Sequence, residues 1–217
     1  MPTAQKTEAN STKQARRIEI IRKSTQIFLD SGFAAASMAE LAKACGIQKA
    51  SFYHHFRNKD ELFIACVIEG YKEAADAFAE LENDASLSEE ERLRQALCML
   101  YDITVDTPAG RFAPLMAEVS RSMPDLSTRF FEDYIAVQRA SLKRMVMKGV
   151  DAGVFKEPDF DLFYHLVFGP VVTLALSREM FAHMPGLDER FPTQRLRDGH
   201  IDALVPTLKH GLRPGQS

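Results

Sequence analysis

Apolar residues recur at steps of three and four positions along most of the chain, which is the period of an amphipathic α-helix. No convincing stretch shows the alternation of apolar and polar residues that is typical of a half-buried strand. The pattern therefore predicts an all-α protein with about nine helices. A Gly169-Pro170 pair lies inside the apolar helix expected at about residues 159–183 and predicts a kink, because proline removes a backbone hydrogen bond.

The stretch from Ser37 to Lys59 predicts two short helices separated by a tight turn. Ser37 and Glu40 have the spacing of a capping box at the start of the first helix. Gly46 is suited to the turn, because glycine readily adopts the left-handed conformation that ends a helix. We expect the second helix to run from about Gln48 to Phe56.

This second helix has two different faces. Phe52 and Phe56 lie one turn apart and are expected to point into the protein. The other side carries small and hydrogen-bonding side chains, namely Ala50, Ser51, Tyr53 and His54. A helix with an aromatic inner face and such an outer face is suited to insertion into the major groove of DNA.

The segment GIQKASFYHHFRNKDEL, residues 46–62, resembles the recognition helix and following turn of the TetR family of transcriptional regulators. That family's pattern has a Gly and an aliphatic residue, then a small residue, Ser or Thr, an apolar residue and Tyr. It closes with a polar aromatic pair ending in Phe, and a Lys before an acidic pair and Leu. The resemblance covers about residues 13–71 and is only architectural beyond them. It implies a flexible arm at 1–12, a helix-turn-helix DNA-binding domain at 13–70, and a helical effector-binding and dimerisation domain at 71–217.

The resemblance also implies which side chains contact DNA. The residues expected at phosphates are Ser37, Tyr53, His54 and Lys59. Those expected at base edges are Gln48, Lys49, Ala50 and Ser51. Lys49 can donate to guanine and Gln48 can pair with adenine, whereas the Ala50 methyl can meet a thymine methyl. Gln48 stands where the family commonly has a small residue, so the base preference is open.

The distribution of charge agrees with a DNA-binding N-terminal part. The whole chain has 27 basic and 30 acidic residues, a formal net charge of −3. Residues 1–60 alone hold ten Lys and Arg against five Asp and Glu, and the remainder holds 17 against 25. Such asymmetry is typical of a basic nucleic-acid module attached to an acidic body.

The resemblance further implies a dimeric repressor of a palindromic operator, released by a small hydrophobic effector. The dimer would form through the last two helices of each subunit. Five side chains are candidates to line the effector cavity: Met99, Met116, Tyr134, His165 and Phe168. An activator or a regulator without a ligand remains the alternative within the class. A helical ligand-binding or scaffold protein is the alternative from another class.

Catalytic and metal-binding motifs are not evident in the sequence. It contains no HExxH, CxxC, glycine-rich phosphate loop or nucleophile elbow, so we expect no enzyme, cofactor or metal site. Cys45, Cys66 and Cys98 lack metal-ligand spacing and are expected as small buried residues in a reducing compartment. No apolar run approaches the ~20 residues of a membrane span, and the polar N-terminus lacks a signal-peptide core. A cytoplasmic protein is therefore expected, with no membrane partner.

Overall fold

The computed structural model describes the backbone of residues 3–211 and the side chains from Thr12 onward, except those of residues 73, 74, 108, 109 and 113. Within that range the protein is all-α, which confirms the predicted fold class. The helices are α1 (Thr3–Ala35), α2 (Met38–Ala44), α3 (Lys49–Tyr53), α4 (Lys59–Asn83), α5 (Glu89–Asp106), α6 (Pro108–Val119), α7 (Pro124–Phe130), a π-helical turn (Phe131–Ile135), α8 (Ala136–Asp151), α9 (Phe160–Met180), α10 (Leu187–Arg190) and α11 (Thr193–His210).

Two helix boundaries differ from the prediction. Helix α1 begins at Thr3 instead of near Thr12, so the backbone of the expected arm is helical there; residues 1 and 2 of that arm lie outside the described range. Helix α3 ends at Tyr53 instead of Phe56, because the next two amides bond to carbonyls only three residues back. By contrast, Gly32, with a φ of 78°, interrupts α1 where glycine predicts a stop.

The chain divides into two compact units. The first unit contains the chain up to Tyr71 together with Leu115–Phe130. The second contains Lys72–Pro114 and the chain from Phe131 onward. The sequence placed one boundary near Gly70, and it gave no indication that Leu115–Phe130 groups with the N-terminal unit.

Aromatic rings form the centre of the first unit. The rings of Phe28 and Phe63 meet edge to face at 5.0 Å, and Phe33 lies 5.0 Å from Phe63. Tyr71 lies 5.0 Å from Phe130, which ties the first half of α4 to α7. The other buried side chains of this core include Ile20, Ile21, Leu41, Phe52, Phe56, Leu62, Cys66 and Val67.

Helix α5 is central to the second unit and packs against α8, α9 and α11. Its Leu93, Leu97, Leu100 and Tyr101 are buried in one cluster with residues from those three helices. Ser88 opens α5 with a capping box completed by Glu91. This cap satisfies backbone amides that the first turn of a helix otherwise leaves unpaired.

Pro170 lies inside α9, which continues from Phe160 to Met180. Proline has no N–H, so it cannot donate the hydrogen bond that the Leu166 carbonyl would normally accept within the helix. The Nε2 atom of His200, on α11, lies 2.9 Å from that carbonyl oxygen and donates to it instead. The neutral ring is then left with Nδ1 as an acceptor, and the Tyr101 hydroxyl lies 2.8 Å away as its donor.

Helices α9 and α11 leave an apolar face uncovered in the single chain. On α9 the exposed apolar side chains are Leu162, Leu166, Val172, Leu176 and Met180. On α11 the exposed positions include Leu196, Gly199, Ala203 and Pro206. By length and composition alone α9 could also cross a membrane, which the sequence pattern did not lead us to expect. Most exposed apolar side chains of a folded chain are scattered, whereas these lie together on two neighbouring helices.

Candidate nucleic-acid interface

Helix α2 is capped at both ends by hydrogen bonds to neighbouring residues. Ser37 Oγ accepts the Glu40 amide at 3.3 Å, and Glu40 Oε2 accepts the Ser37 amide at 3.0 Å, so the predicted capping box is confirmed. At the other end Gly46 has a φ of 67°. The Gly46 amide bonds to Lys43 and the Ile47 amide to Ala42, which is the Schellman arrangement of a left-handed cap.

Helix α3 is held from its inner side. Phe52 and Phe56 are fully buried with ring centres 6.1 Å apart, as predicted. The guanidinium of Arg17 lies 4.7 Å from the centre of the Phe56 ring, and Arg16 Nη2 donates to the Cys45 carbonyl at 3.2 Å. Arg16 therefore helps to fix the end of α2, and Arg17 helps to fix the segment that follows α3.

The outer side of α3 is open to solvent. Tyr53 is 44% exposed, although aromatic side chains are usually more buried in a single domain. The other exposed residues of this stretch are Gln48, Lys49, Ala50, Ser51 and His54. Gln48 is the N-cap of α3 but makes no side-chain cap bond, so its amide remains available to a partner. Every predicted base-reading position thus lies on an accessible surface.

Arg57 lies in the turn between α3 and α4, on the same candidate surface. It was not among the residues predicted to contact DNA. Asn58 Oδ1 accepts the Glu61 amide at 2.8 Å and so caps α4. Glu61 in turn accepts from the backbone amide and the Nε of Arg57, at 2.9 and 3.1 Å. These contacts lower the pKa of Glu61 and orient Arg57, whose side chain is 89% exposed. The basic character of Arg57 was visible in the sequence, but its exposure and orientation were not.

Lys59 makes a set of contacts that differs from the expected one. Its ammonium donates to the carbonyls of Phe33 at 2.7 Å and Ala36 at 2.9 Å, with Ala34 at 3.5 Å. It also lies 4.2 Å from the centre of the Phe33 ring. The side chain therefore closes the backbone between α1 and α2, and its donors already have partners within the chain.

The surroundings of His55 indicate a positive potential at this end of the unit. Its Nδ1 atom is buried and has no hydrogen-bond partner among the described residues. Burial lowers the pKa of His55, and the nearby charges of Lys13, Arg16, His54 and Arg17 lower it further. A cluster of basic groups beside α3 favours the approach of an anionic backbone.

The five side chains expected to line an effector cavity are divided between the two units. Met116 is buried in the first unit, whereas Met99, Tyr134, His165 and Phe168 belong to the second. Met99 is half-buried against the core of the second unit. His165 lies on the exposed side of α9, and its Nδ1 donates to a backbone carbonyl one turn earlier at 2.7 Å.

Tyr134 and Phe168 are connected through Tyr164, which was not among the predicted lining residues. The ring centres of Tyr164 and Phe168 are 4.4 Å apart. Burial raises the pKa of Tyr134, and the neighbouring Tyr164 phenol raises it further. Gln138, also absent from the predicted set, donates to the Tyr134 hydroxyl oxygen at 3.2 Å.

The helix-turn-helix geometry agrees with a family comparison. Residues 20–66 match the family of bacterial regulatory proteins called the tetR family. The transcriptional regulator UidR of Escherichia coli is 35% identical over 67 residues, which are 31% of this chain and 34% of UidR. The match thus spans about a third of that relative. The transcriptional repressor DhaR of a Mycobacterium species is 22% identical over 140 residues, 63% of this chain and 68% of DhaR.

Solved structures show that the likeness of fold extends along the chain. A tetR-family regulator from Mesorhizobium loti superposes with a TM-score of 0.73 at 23% identity, covering 90% of this chain and 97% of that one. The regulator FadR of Bacillus subtilis, solved in complex with stearoyl-CoA, gives a TM-score of 0.68 at 16% identity, covering 87% and 97%. The second unit therefore has the helical fold that accompanies this type of DNA-binding domain.

Proposed function

We propose that this protein is a sequence-specific transcriptional regulator that inserts α3 into the major groove of its operator. The observation that carries the proposal is the contrast between the two faces of α3. Phe52 and Phe56 anchor it, while every side chain from Gln48 to Ser51 is exposed. A rigidly held helix with an open polar face matches the docking geometry of helix-turn-helix proteins.

The proposed contacts follow from where each side chain lies. Base edges are assigned to Gln48, Lys49, Ala50 and Ser51. Phosphates are assigned to Ser37, Tyr53, His54 and Arg57. Lys59 receives a structural role, because its donors are directed to backbone carbonyls.

A homodimer is the proposed active form. The exposed apolar face of α9 and α11 is the surface that we assign to the second copy. One recognition helix of five residues contacts few base pairs, so two copies on a palindromic site supply affinity and specificity. This use of α9 also accounts for its apolar composition without a membrane.

We propose repression with release by a small apolar effector bound in the second unit. A relative named as a repressor and a structural neighbour solved with an acyl-CoA support this assignment. Helix α4 offers the mechanical connection, because it runs without interruption from Lys59 to Asn83. A ligand that favours another position of α4 must weaken operator binding, and by linkage the operator weakens ligand binding equally.

A mobility-shift assay with the DNA upstream of the coding sequence tests the proposal. We expect binding at submicromolar protein that survives an excess of random DNA, and loss of transcription from that promoter in a purified system. Equal affinity for upstream and random DNA would contradict sequence-specific regulation. Increased transcription would contradict repression while leaving DNA binding intact.

A further inference from the structure

A buried polar pair lies where the π-helical turn meets α8. Tyr134 is 8% exposed and belongs to the π-helical turn, and Gln138, 4% exposed, follows one turn later. Gln138 Nε2 donates to the Tyr134 hydroxyl oxygen at 3.2 Å. The other end of the same amide, Oε1, is buried and has no hydrogen-bond partner among the described residues.

The rings around this pair form an aromatic cluster. Tyr164 neighbours the Tyr134 phenol, and its ring lies 4.4 Å from Phe168 and 6.4 Å from Phe160. Burial raises the pKa of both tyrosines, so both phenols are neutral at physiological pH.

Two cations, Arg139 and Lys143, lie near the rings of this cluster. Arg139 lies over the rings of Phe160 and Tyr164, at 5.5 and 5.3 Å from their centres. Its guanidinium forms an ion pair with Asp161. Lys143 lies 5.7 Å from the centre of the Phe160 ring, and Arg139 Nε is buried without a hydrogen-bond partner among the described residues. At Gln138 itself the cluster offers a hydrogen-bond acceptor among aromatic rings.

An unpaired amide oxygen in such surroundings is unfavourable for folding, because it loses its bonds to water and gains none. An apolar side chain of similar size would fill the position without that cost. π-Helical turns are rare and occur frequently at functional sites, where the extra residue changes the direction of the side chains. These two features together indicate a group kept for binding.

We propose that Gln138 is the polar contact for a small neutral ligand that has an aromatic or alkyl body and one hydroxyl or amide N–H. The ligand's donor would bond to Gln138 Oε1, and its body would lie among the rings of Tyr164 and Phe168. Gln138 Oε1 is an acceptor, so it favours a ligand group that donates over a carboxylate, which can only accept. The inference rests on the proposed function, for which this ligand is the effector.

The same face of α8 connects this position to α4. Ser141, one turn after Gln138, donates to Glu82 Oε2 at 2.6 Å. Arg144 binds both carboxylate oxygens of Glu82 at 2.5 and 2.7 Å, and Lys148 donates to the Glu82 carbonyl at 3.2 Å. Glu82 lies in the last turn of α4. A ligand that shifts Gln138 would also shift the α8 side chains that bind Glu82, and so would move the end of the helix that begins at the DNA-binding domain.

Three matched probes test the ligand class on the full chain by titration calorimetry without DNA: 4-propylphenol, 4-propylanisole and 4-propylbenzoate. They share one body and differ in bearing a donor, a methylated oxygen or a charge. We expect the phenol to bind at least about tenfold more tightly than the anisole, equivalent to about 1.4 kcal/mol. In Gln138→Leu that ratio should fall to about one, since the acceptor is gone. The exposed Gln95→Leu is the control and should keep the ratio.

Several results would overturn the inference. They are the absence of phenol binding, equal binding of phenol and anisole to the natural sequence, an unchanged ratio in Gln138→Leu, and tightest binding of the benzoate. Because no DNA is present, these results are independent of operator binding. If the phenol ratio behaves as expected but the protein never binds DNA specifically, the proposed function fails and the ligand site stands. With DNA added, Glu82→Gln should keep phenol affinity while the phenol-induced loss of DNA binding decreases.

Discussion

The ammonium of Lys59 lies 4.2 Å from the centre of the Phe33 ring and donates a 2.7 Å hydrogen bond to the Phe33 carbonyl. With the Ala36 carbonyl at 2.9 Å, one lysine at the start of α4 closes the chain between α1 and α2. Lysine in the first turn of a helix is unfavourable toward the helix dipole. The carbonyls of the preceding segment provide the opposing negative charge.

The first prediction follows from these contacts. Lys59→Met should lower the free energy of unfolding by about 1–3 kcal/mol, because carbonyls lose a charged donor. Where the variant is folded, the dependence of its DNA affinity on salt should match that of the natural protein. Urea unfolding followed by circular dichroism and anisotropy titrations at several salt concentrations measure the two effects.

Two other basic residues serve as controls for Lys59. Arg57→Met should keep its stability to within about 1 kcal/mol, because its ion pair with Glu61 is exposed. Its slope of log affinity against log salt should become shallower by about 0.9 for each phosphate that is no longer neutralised. Lys72→Met, at an exposed position of α4, should change neither quantity. Unchanged stability together with a shallower salt slope for Lys59→Met would return Lys59 to the phosphate-binding residues.

The difference between the two expectations for Lys59 shows what the sequence could supply. Ser37 and Gly46 were predicted correctly as a cap and a turn, because their partners lie within five residues. The carbonyls that bind Lys59 are 23 to 26 residues away. A lysine in the first helical turn gives the same local pattern whether its partner is a phosphate or a distant carbonyl.

Contacts between residues distant in the sequence were also not predicted in the second unit. The stripe of apolar residues indicated α9 and its proline, but not that His200, 34 residues later, donates to the Leu166 carbonyl. The π-helical turn had no signal in the spacing of apolar residues. Gln138 has the sequence context of an ordinary polar helix position, and only the fold reveals that its amide is buried.

A second prediction concerns His200 and Pro170. His200 is expected to supply the hydrogen bond that Pro170 cannot donate. His200→Ala should therefore lower the free energy of unfolding more in the natural sequence, where residue 170 is proline, than in the Pro170→Ala variant. We expect the two costs in unfolding free energy to differ by about 0.5–1.5 kcal/mol, the contribution of one hydrogen bond. The loss of the Tyr101 hydrogen bond is common to both backgrounds and cancels in the cycle. A coupling energy of zero would contradict the assignment.

A third prediction is the pH dependence that His200 contributes. Burial lowers the pKa of His200, and its bond to the Leu166 carbonyl opposes this only in part. The folded state therefore binds fewer protons than the unfolded state below about pH 6.5, the ordinary histidine value. The free energy of unfolding should therefore be highest above that pH. It should decrease as the pH falls from about 6.5 through the folded-state pKa of His200.

Unfolding midpoints between pH 7.5 and 5 measure this contribution. His200→Asn should show a flatter profile than the natural protein, whereas the exposed His183→Asn should reproduce the natural one. Steeper loss of stability toward acid in His200→Asn would show that the sign is reversed.

A fourth prediction tests the surface assigned to the second copy. Leu176 on α9 is 44% exposed and Val137 on α8 is 49% exposed, so the two positions are comparable in the single chain. Leu176→Arg should convert a dimer into a monomer, because a charge would be buried in an apolar interface, and Val137→Arg should leave it dimeric. Sedimentation velocity at micromolar protein distinguishes the two. If Leu176→Arg stays dimeric and Val137→Arg becomes monomeric, the interface does not lie on α9 and α11.

Selection from a pool of random duplexes tests most directly the central claim that α3 reads DNA in a dimer. The natural protein should enrich a palindrome of two half-sites separated by a whole helical turn, and Lys49→Ala should relax one position in each half-site by about 1–3 kcal/mol. Enrichment of no sequence, or of a single unrepeated site that Lys49→Ala leaves unchanged, would contradict it.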